Sequence, residues 1–199
     1  MSKWRWWKIW RWDEPGMHRK LEALFVSGGG CLILERAYAK NKGARSESTH
    51  DFHYQWVPIH DYTDGVFWST PFGITLEIEG KAVARVGFFA HRRYCFISRI
   101  QGEKGQSKYL RGWRWDFFLV EAVIGIAKEL GCREVRIQEA SRNFWYSKRE
   151  TSSEEIFITD EDEEKHKAIL RRRYNETAKS LGFIPSLDGR YWVYSLKTG

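Results

Sequence analysis

The side chains of this chain best suited to moving protons lie close together, at Glu139, Asn143 and Tyr146. Glu139 directly follows the run Arg133 to Gln138, in which Val135 and Ile137 face one way, so it stands where a strand gives way to a loop. A carboxylate there can take a proton, the Tyr146 phenol can give one, and the Asn143 amide can orient a water or a carbonyl. The alternative is structural, with Glu139 a solvent-facing strand end and Tyr146 a core aromatic. No Ser/His/Asp or Cys/His constellation stands out, because Cys95 and Cys132 sit within or beside expected elements rather than in a reactive loop. His50, His53 and His60, with Asp51 and Asp61 nearby, fit no recognised metal spacing and read as ordinary histidines among aromatics.

The elements that must position these groups follow from the apolar pattern. Met17 to Ser27 reads as a short helix ended by Gly28, Gly29 and Gly30, and Cys31 to Ala39 resumes a helical pattern. The triple glycine lacks the following Gly-Lys-Ser/Thr of a phosphate loop and reads as a turn. Residues 40 to 51 read as a polar loop. Strands are expected at Val66 to Ser69, Gly73 to Glu79, Lys81 to Ala90 and Tyr94 to Ile100, with a Glu79-Gly80 hairpin turn. The strongest helix spans Trp113 to Leu130 and stops at Gly131. After the strand Arg133 to Gln138, residues 147 to 166 hold eight acidic and three basic side chains and read as a solvated insertion. Lys167 to Leu181 is expected to be a helix and Tyr191 to Leu196 a closing strand. The fold class is therefore α/β (α+β): N-terminal helices, a strand meander, then helix, strand, helix, strand.

Composition narrows the partners. With 199 residues, 42% hydrophobic and 30% charged, the chain suits one folded domain, taken as 13–199 after a distinct segment 1–12. A net charge of +7 favours anionic partners. Of 11 Trp, five lie in residues 1–12, interleaved with four basic residues, as in a peptide that stacks on bases or sits at an acidic membrane surface. The alternative is that these rings close over the domain's own core. Three cysteines without CxxC spacing read as buried free thiols in a reducing cytoplasm. No run of 18 apolar residues or signal-peptide pattern is evident, which places the chain in the cytoplasm or at a membrane surface.

Short motifs add a resemblance. Leu110, Gly112, Arg114, Leu119 and Glu121 match the Leu-x-Gly-x-Arg-Pro-Lys-x-x-Leu-x-Glu-Ala stretch of the VirK/YbjX family. Ile100-Gln101-Gly102, Asn143-Phe144-Trp145-Tyr146, Tyr174, Leu181-Gly182 and Asp188-Gly189 resemble further motifs of that family in the same order, covering about residues 66–195. The order of elements also resembles the GNAT acyltransferase superfamily. The chain departs from VirK/YbjX at Trp115, Phe144 and Ser141, where that family has Pro, His and Asp, so any chemistry resting on that His or Asp is absent here.

The GNAT resemblance implies a mixed central sheet. It also implies that a donor's pyrophosphate rests on a glycine-containing loop and the central helix N-terminus. The corresponding stretch is Arg99 to Gly112: Gly102, Gly105 and Gly112 offer close backbone approach, Lys104, Lys108, Arg111 and Arg114 offer charge, and Gln101 is a further donor-binding candidate beside them. Lys104 stands where the superfamily pattern wants a small residue, and the other reading of this stretch is a solvated basic loop. The resemblance implies an acyl or aminoacyl transferase acting on an amine or hydroxyl, with acyl-CoA or aminoacyl-tRNA as donor. A V-shaped opening is expected between Gly102 to Arg111 and Glu139 to Tyr146. The alternative is a non-catalytic protein that binds RNA, other nucleic acid or an acidic membrane through a basic, Trp-rich surface including Arg92, Arg93 and Arg171 to Arg173.

Overall fold

The meander forms where the alternating runs place it. In the computed structural model, which describes residues 14–41, 50–56, 70–143, 146 and 160–196, Glu79 and Gly80 both adopt positive φ, 53° and 70°. That is the geometry of a two-residue hairpin turn, and it joins β2 (Phe72–Ile78) to β3 (Lys81–Ala90). β4 (Tyr94–Gly102) pairs antiparallel with β3. β1 (His50–Trp56) pairs antiparallel with the other edge of β2. This strand was not expected, although its signal was present: Phe52, Tyr54 and Trp56 alternate and stand opposite Leu76, Ile74 and Phe72. β5 (Glu134–Gln138), β6 (Ile184–Pro185) and β7 (Tyr191–Ser195) complete a seven-stranded mixed sheet of order β1-β2-β3-β4-β5-β7-β6.

One face of the sheet is apolar and covered. Phe72, Ile74, Leu76, Val86, Phe88, Ile97, Val135 and Ile137 are all fully buried on it. α4 (Trp115–Glu129) lies against this face with Phe118, Leu119, Val120, Val123 and Ile126 inward. Each large side chain so buried contributes about 1.5–3 kcal/mol. α4 ends where Gly131 takes φ 72°, with Cys132 N–H donating to the Ala127 carbonyl at 2.9 Å and Gly131 N–H to Lys128 at 3.0 Å. This is the 6→1, 5→2 pattern that closes a helix. α1 (Glu14–Val26) and α2 (Gly29–Asn41) precede the sheet. α2 runs beside α4, where Lys40 and Asn41 both bond Glu121.

The last helical stretch begins earlier than expected. α5 (Asp160–Arg171) already includes seven residues of the acidic stretch assigned above to a solvated insertion. Glu163 and Glu164 ion-pair with Lys167 on this helix, so the charges are absorbed by a solvated helical face. A π-helical turn, Arg172–Glu176, and α6 (Thr177–Ser180) follow. The expected strand at 66–69, the segment 1–12 and residues 147–159 lie outside the described residues. A further correction concerns the thiols. Cys95 and Cys132 are buried, with sulfurs 3.8 Å apart, but Cys31 is exposed.

Candidate active site

The site begins where two parallel strands part. β4 and β5 pair in parallel over four rungs, from Tyr94↔Glu134 to Ile97↔Ile137. Ser98 is then left out of the β3–β4 register, which passes from Phe88↔Ile97 to Gly87↔Arg99. From there β4 continues to Gly102 with β3 as its ladder partner, so its other edge carries backbone groups that need partners. Tyr174, in the π-helical turn, supplies one. Its hydroxyl accepts from Ile100 N–H at 3.1 Å and donates to the Ser98 carbonyl at 3.2 Å. The residue is 2% exposed, and burial pushes its phenol above the ordinary tyrosine range, against the lowering effect of the Ile100 bond and of nearby Arg173 and Arg99. The hydroxyl therefore stays protonated.

The same stretch of helix holds the three residues singled out in the sequence. Asn175 donates from its side-chain nitrogen to Glu139 Oε1 at 2.7 Å, while its side-chain oxygen accepts from Ala140 N–H at 3.0 Å and Trp192 Nε1 at 3.1 Å. The other Glu139 oxygen caps the short 3-10 turn Ala140–Arg142 by accepting from Ser141 N–H at 2.8 Å, and it also accepts from the Ser141 hydroxyl. Partial burial raises the Glu139 carboxyl, but the bonds from Ser141 and Asn175, with Arg142 nearby, outweigh it and hold the pKa below the usual range. Asn143 is buried and hydrogen-bonds the Tyr174 side chain. Arg171 Nε donates to the Tyr146 hydroxyl at 2.8 Å. Glu139, Asn143 and Tyr146 are thus one cluster, organised by Arg171, Tyr174 and Asn175.

Across the parting, the basic stretch is an ordered turn. Glu103 N–H donates to the Val83 carbonyl at 2.9 Å, and the Glu103 carboxylate pairs with Arg85. Gly102 is packed closely by the protein's own side chains: a Cβ there would stand 2.8 Å from Cδ1 of the half-buried Leu110 and 3.4 Å from the Trp115 indole. Lys104, Gly105, Arg111 and Arg114 are exposed, and Gln101 is half-buried. At the start of α4, Arg114 stacks 3.4 Å above the Phe117 ring, and buried Asp116 accepts from the Thr177 hydroxyl at 2.7 Å. That carboxylate occupies part of the favourable field of the helix N-terminus, so an anion in the loop depends on the surrounding cations. Two of these are half-buried. Arg173 lies 5.4 Å from the Trp115 ring centre, and burial lowers the pKa of both Arg99 and Arg173. Their desolvation makes them stronger partners for an anion than fully hydrated cations.

Tyr174, Asn175 and Arg171 were not assigned these roles from the sequence. The sequence places Arg171 within a basic run and Tyr174 at a motif position. Their spacing along one helix was the available signal. Of the histidines, His50 stacks on Tyr38 with ring centres 4.0 Å apart and meets Glu35 at 3.2 Å, while the side chains of His53 and His60 lie outside the described residues. Among the described residues no three His, Cys, Asp or Glu side chains are grouped to hold a metal ion, and no helix is long and apolar enough to cross a membrane. Comparison with known protein families and with curated proteins finds no match to this chain.

Proposed function

We propose that this chain is a GNAT-like acyl or aminoacyl transferase of VirK/YbjX type, working in the cytoplasm, whose donor binds across the carboxyl ends of β4 and β5. The observation that carries this reading is the end of the parallel ladder at Ile97 and Ile137 while β4 runs on to Gly102. In open α/β sheets, ligands settle in the crevice outside the carboxyl ends of parallel strands. The residues around this parting offer two kinds of chemistry. One is a set of cations, Lys104, Arg111 and Arg114 exposed and Arg99 and Arg173 half-buried. The other is the cluster of Glu139, Asn143 and Tyr146, fixed by one helix. A π-turn at this helix adds support, because such turns recur at functional sites.

The anionic part of the donor, the pyrophosphate of acyl-CoA or the phosphates of aminoacyl-tRNA, is held by the cations. The acceptor's amine or hydroxyl attacks the acyl carbonyl carbon, the new C–N or C–O bond forms, and the C–S or C–O bond to the donor breaks. Glu139 takes the proton released by the attacking group, and Tyr146 gives one to the leaving thiolate or alkoxide. Asn143 orients the carbonyl. Titration calorimetry of the full chain with acetyl-CoA, a long-chain acyl-CoA and aminoacyl-tRNA tests the reading. Micromolar binding of one donor, lost in Arg111→Ala/Arg114→Ala with an unchanged melting temperature, supports it. No heat with any donor overturns it in favour of a non-catalytic binding protein.

A further inference from the structure

The sheet has a second face, opposite the helices. Side chains alternate across a strand, so burial of Cys95, Ile97, Val135 and Ile137 on the helical face puts Phe96, Glu134, Arg136 and Gln138 on the other. Tyr191 stands opposite Gln138 and Val193 opposite Arg136, which sets both on that same face. Phe96, Arg136, Tyr191 and Val193 are half-buried rather than buried. The Phe96 and Tyr191 rings meet edge to face with centroids 5.4 Å apart. Arg136 is held flat by Glu134, its Nε donating to the carboxylate at 2.8 Å, and its guanidinium lies 4.0 Å from the Tyr94 ring centre.

One end of this face is strongly cationic. Arg92 and Arg93, in the β3–β4 turn, and Arg133, at the start of β5, are all exposed. Arg133 N–H donates to the Arg93 carbonyl at 2.7 Å, so the backbone itself brings them together. Glu134, the neighbouring carboxylate, is engaged by Arg136. Clustered like charges raise the free energy of the isolated protein, and a polyanion relieves that cost.

From this geometry we infer that the face of β4, β5 and β7 binds single-stranded nucleic acid. Bases stack on Tyr191 and the flat Arg136 guanidinium, with Phe96, itself stacked on Phe89 at 5.9 Å between ring centres, backing the platform, and phosphates meet Arg92, Arg93 and Arg133. Rings held edge to face beside a planar guanidinium suit the π-face of a base, and charges at one end suit a backbone leaving the platform. The surface lies on the face of the sheet opposite the helices, beside the last rungs of the β4–β5 ladder, and does not rest on the transferase reading.

Fluorescence anisotropy with labelled twelve-nucleotide oligo-U and oligo-dT, using the full chain without any acyl donor, tests the inference. Tyr191→Leu is expected to weaken binding roughly tenfold, the loss of one stacked base. Arg92→Ala/Arg93→Ala/Arg133→Ala is expected to reduce the salt slope by about 2, at roughly 0.7 per lost phosphate contact. The exposed arginine variant keeps the test valid if Tyr191→Leu unfolds, and circular dichroism monitors both. Absence of oligonucleotide binding overturns the inference. So does binding that neither variant weakens, or binding to phosphatidylserine vesicles alone. Because no donor is present, failure here leaves the transferase reading untouched, and the calorimetry above can fail without affecting this result.

Discussion

The Tyr174 hydroxyl bridges β4 to itself, accepting from Ile100 N–H at 3.1 Å while donating to the Ser98 carbonyl two residues earlier at 3.2 Å. One side chain thereby satisfies the edge that the parting of β4 from β5 exposes, and it ties the π-helical turn to the strand that borders the proposed donor site. Any extended part of a donor that entered alongside β4 would compete with Tyr174 for these two backbone groups.

Removing only that hydroxyl isolates its role. Tyr174→Phe leaves the buried Ile100 amide and the half-buried Ser98 carbonyl without this partner, and a buried group so orphaned costs about 1–3 kcal/mol. Urea unfolding of the variant is expected to show a lowered midpoint with an unchanged slope. A midpoint equal to that of the parent protein would mean that the two backbone groups find other partners.

Glu139 makes stability depend on pH in a defined direction. Its folded carboxyl pKa lies below the usual value, so the unfolded chain binds the proton more tightly. Its contribution is therefore present above the unfolded pKa, about 4.3 for a glutamate, and is lost as pH falls through the lower folded pKa. Chemical unfolding of the parent protein and Glu139→Gln at a series of pH values should give a stability gap that is largest near neutrality and closes in acid. A gap that persists below that range would show that the carboxylate's charge is not what the Ser141 and Asn175 bonds stabilise.

Much of the architecture was legible in the residues. The central helix, its stop at Gly131 and the Glu79-Gly80 turn follow from periodicity and local chemistry, because neighbouring residues alone determine them. β1 was missed for a different reason. Its alternating Phe52, Tyr54 and Trp56 are interleaved with the polar His53 and Gln55, and a strand gains its stability from the neighbour across the ladder, which local pattern does not reveal. The candidate site was half legible. Glu139, Asn143 and Tyr146 lie within eight residues of one another, whereas Tyr174 and Asn175 reach the site only through folding, across 74 and 36 residues of chain. Gly102 is expected to serve a ligand, and Leu110 and Trp115 also pack close to it.

The contact between α2 and α4 depends on Gly125. A Cβ at this position would stand 2.5 Å from the Ile33 methyl Cγ2, and a β-branched side chain in a helix has one preferred rotamer and little room to yield. Gly125→Ala gains about 1 kcal/mol in helix propensity, while overpacking costs about 1–3 kcal/mol. The net expected change is a small loss of stability, and Gly125→Ala/Ile33→Ala should recover part of it. Calorimetric melting of both variants checks the sign.

The three thiols should react unequally. Cys31 is exposed, while Cys95 is 0% and Cys132 3% exposed. Titration with a thiol-reactive disulfide reagent is expected to modify one cysteine rapidly in the native protein and all three after denaturation. Two fast equivalents would mean that the end of α4 opens readily around Cys132.

The central claim is that a donor binds at the parting of β4 and β5, between Ser98–Gly102 and Glu139–Tyr146. Hydrogen–deuterium exchange by mass spectrometry, with the donor that calorimetry identifies, reads this directly. The account expects slowed exchange in peptides covering 98–114 and 139–146, with the helical segment 160–180 responding as Tyr174 is displaced or held. Protection confined to other parts of the chain, with these peptides unchanged, would contradict it.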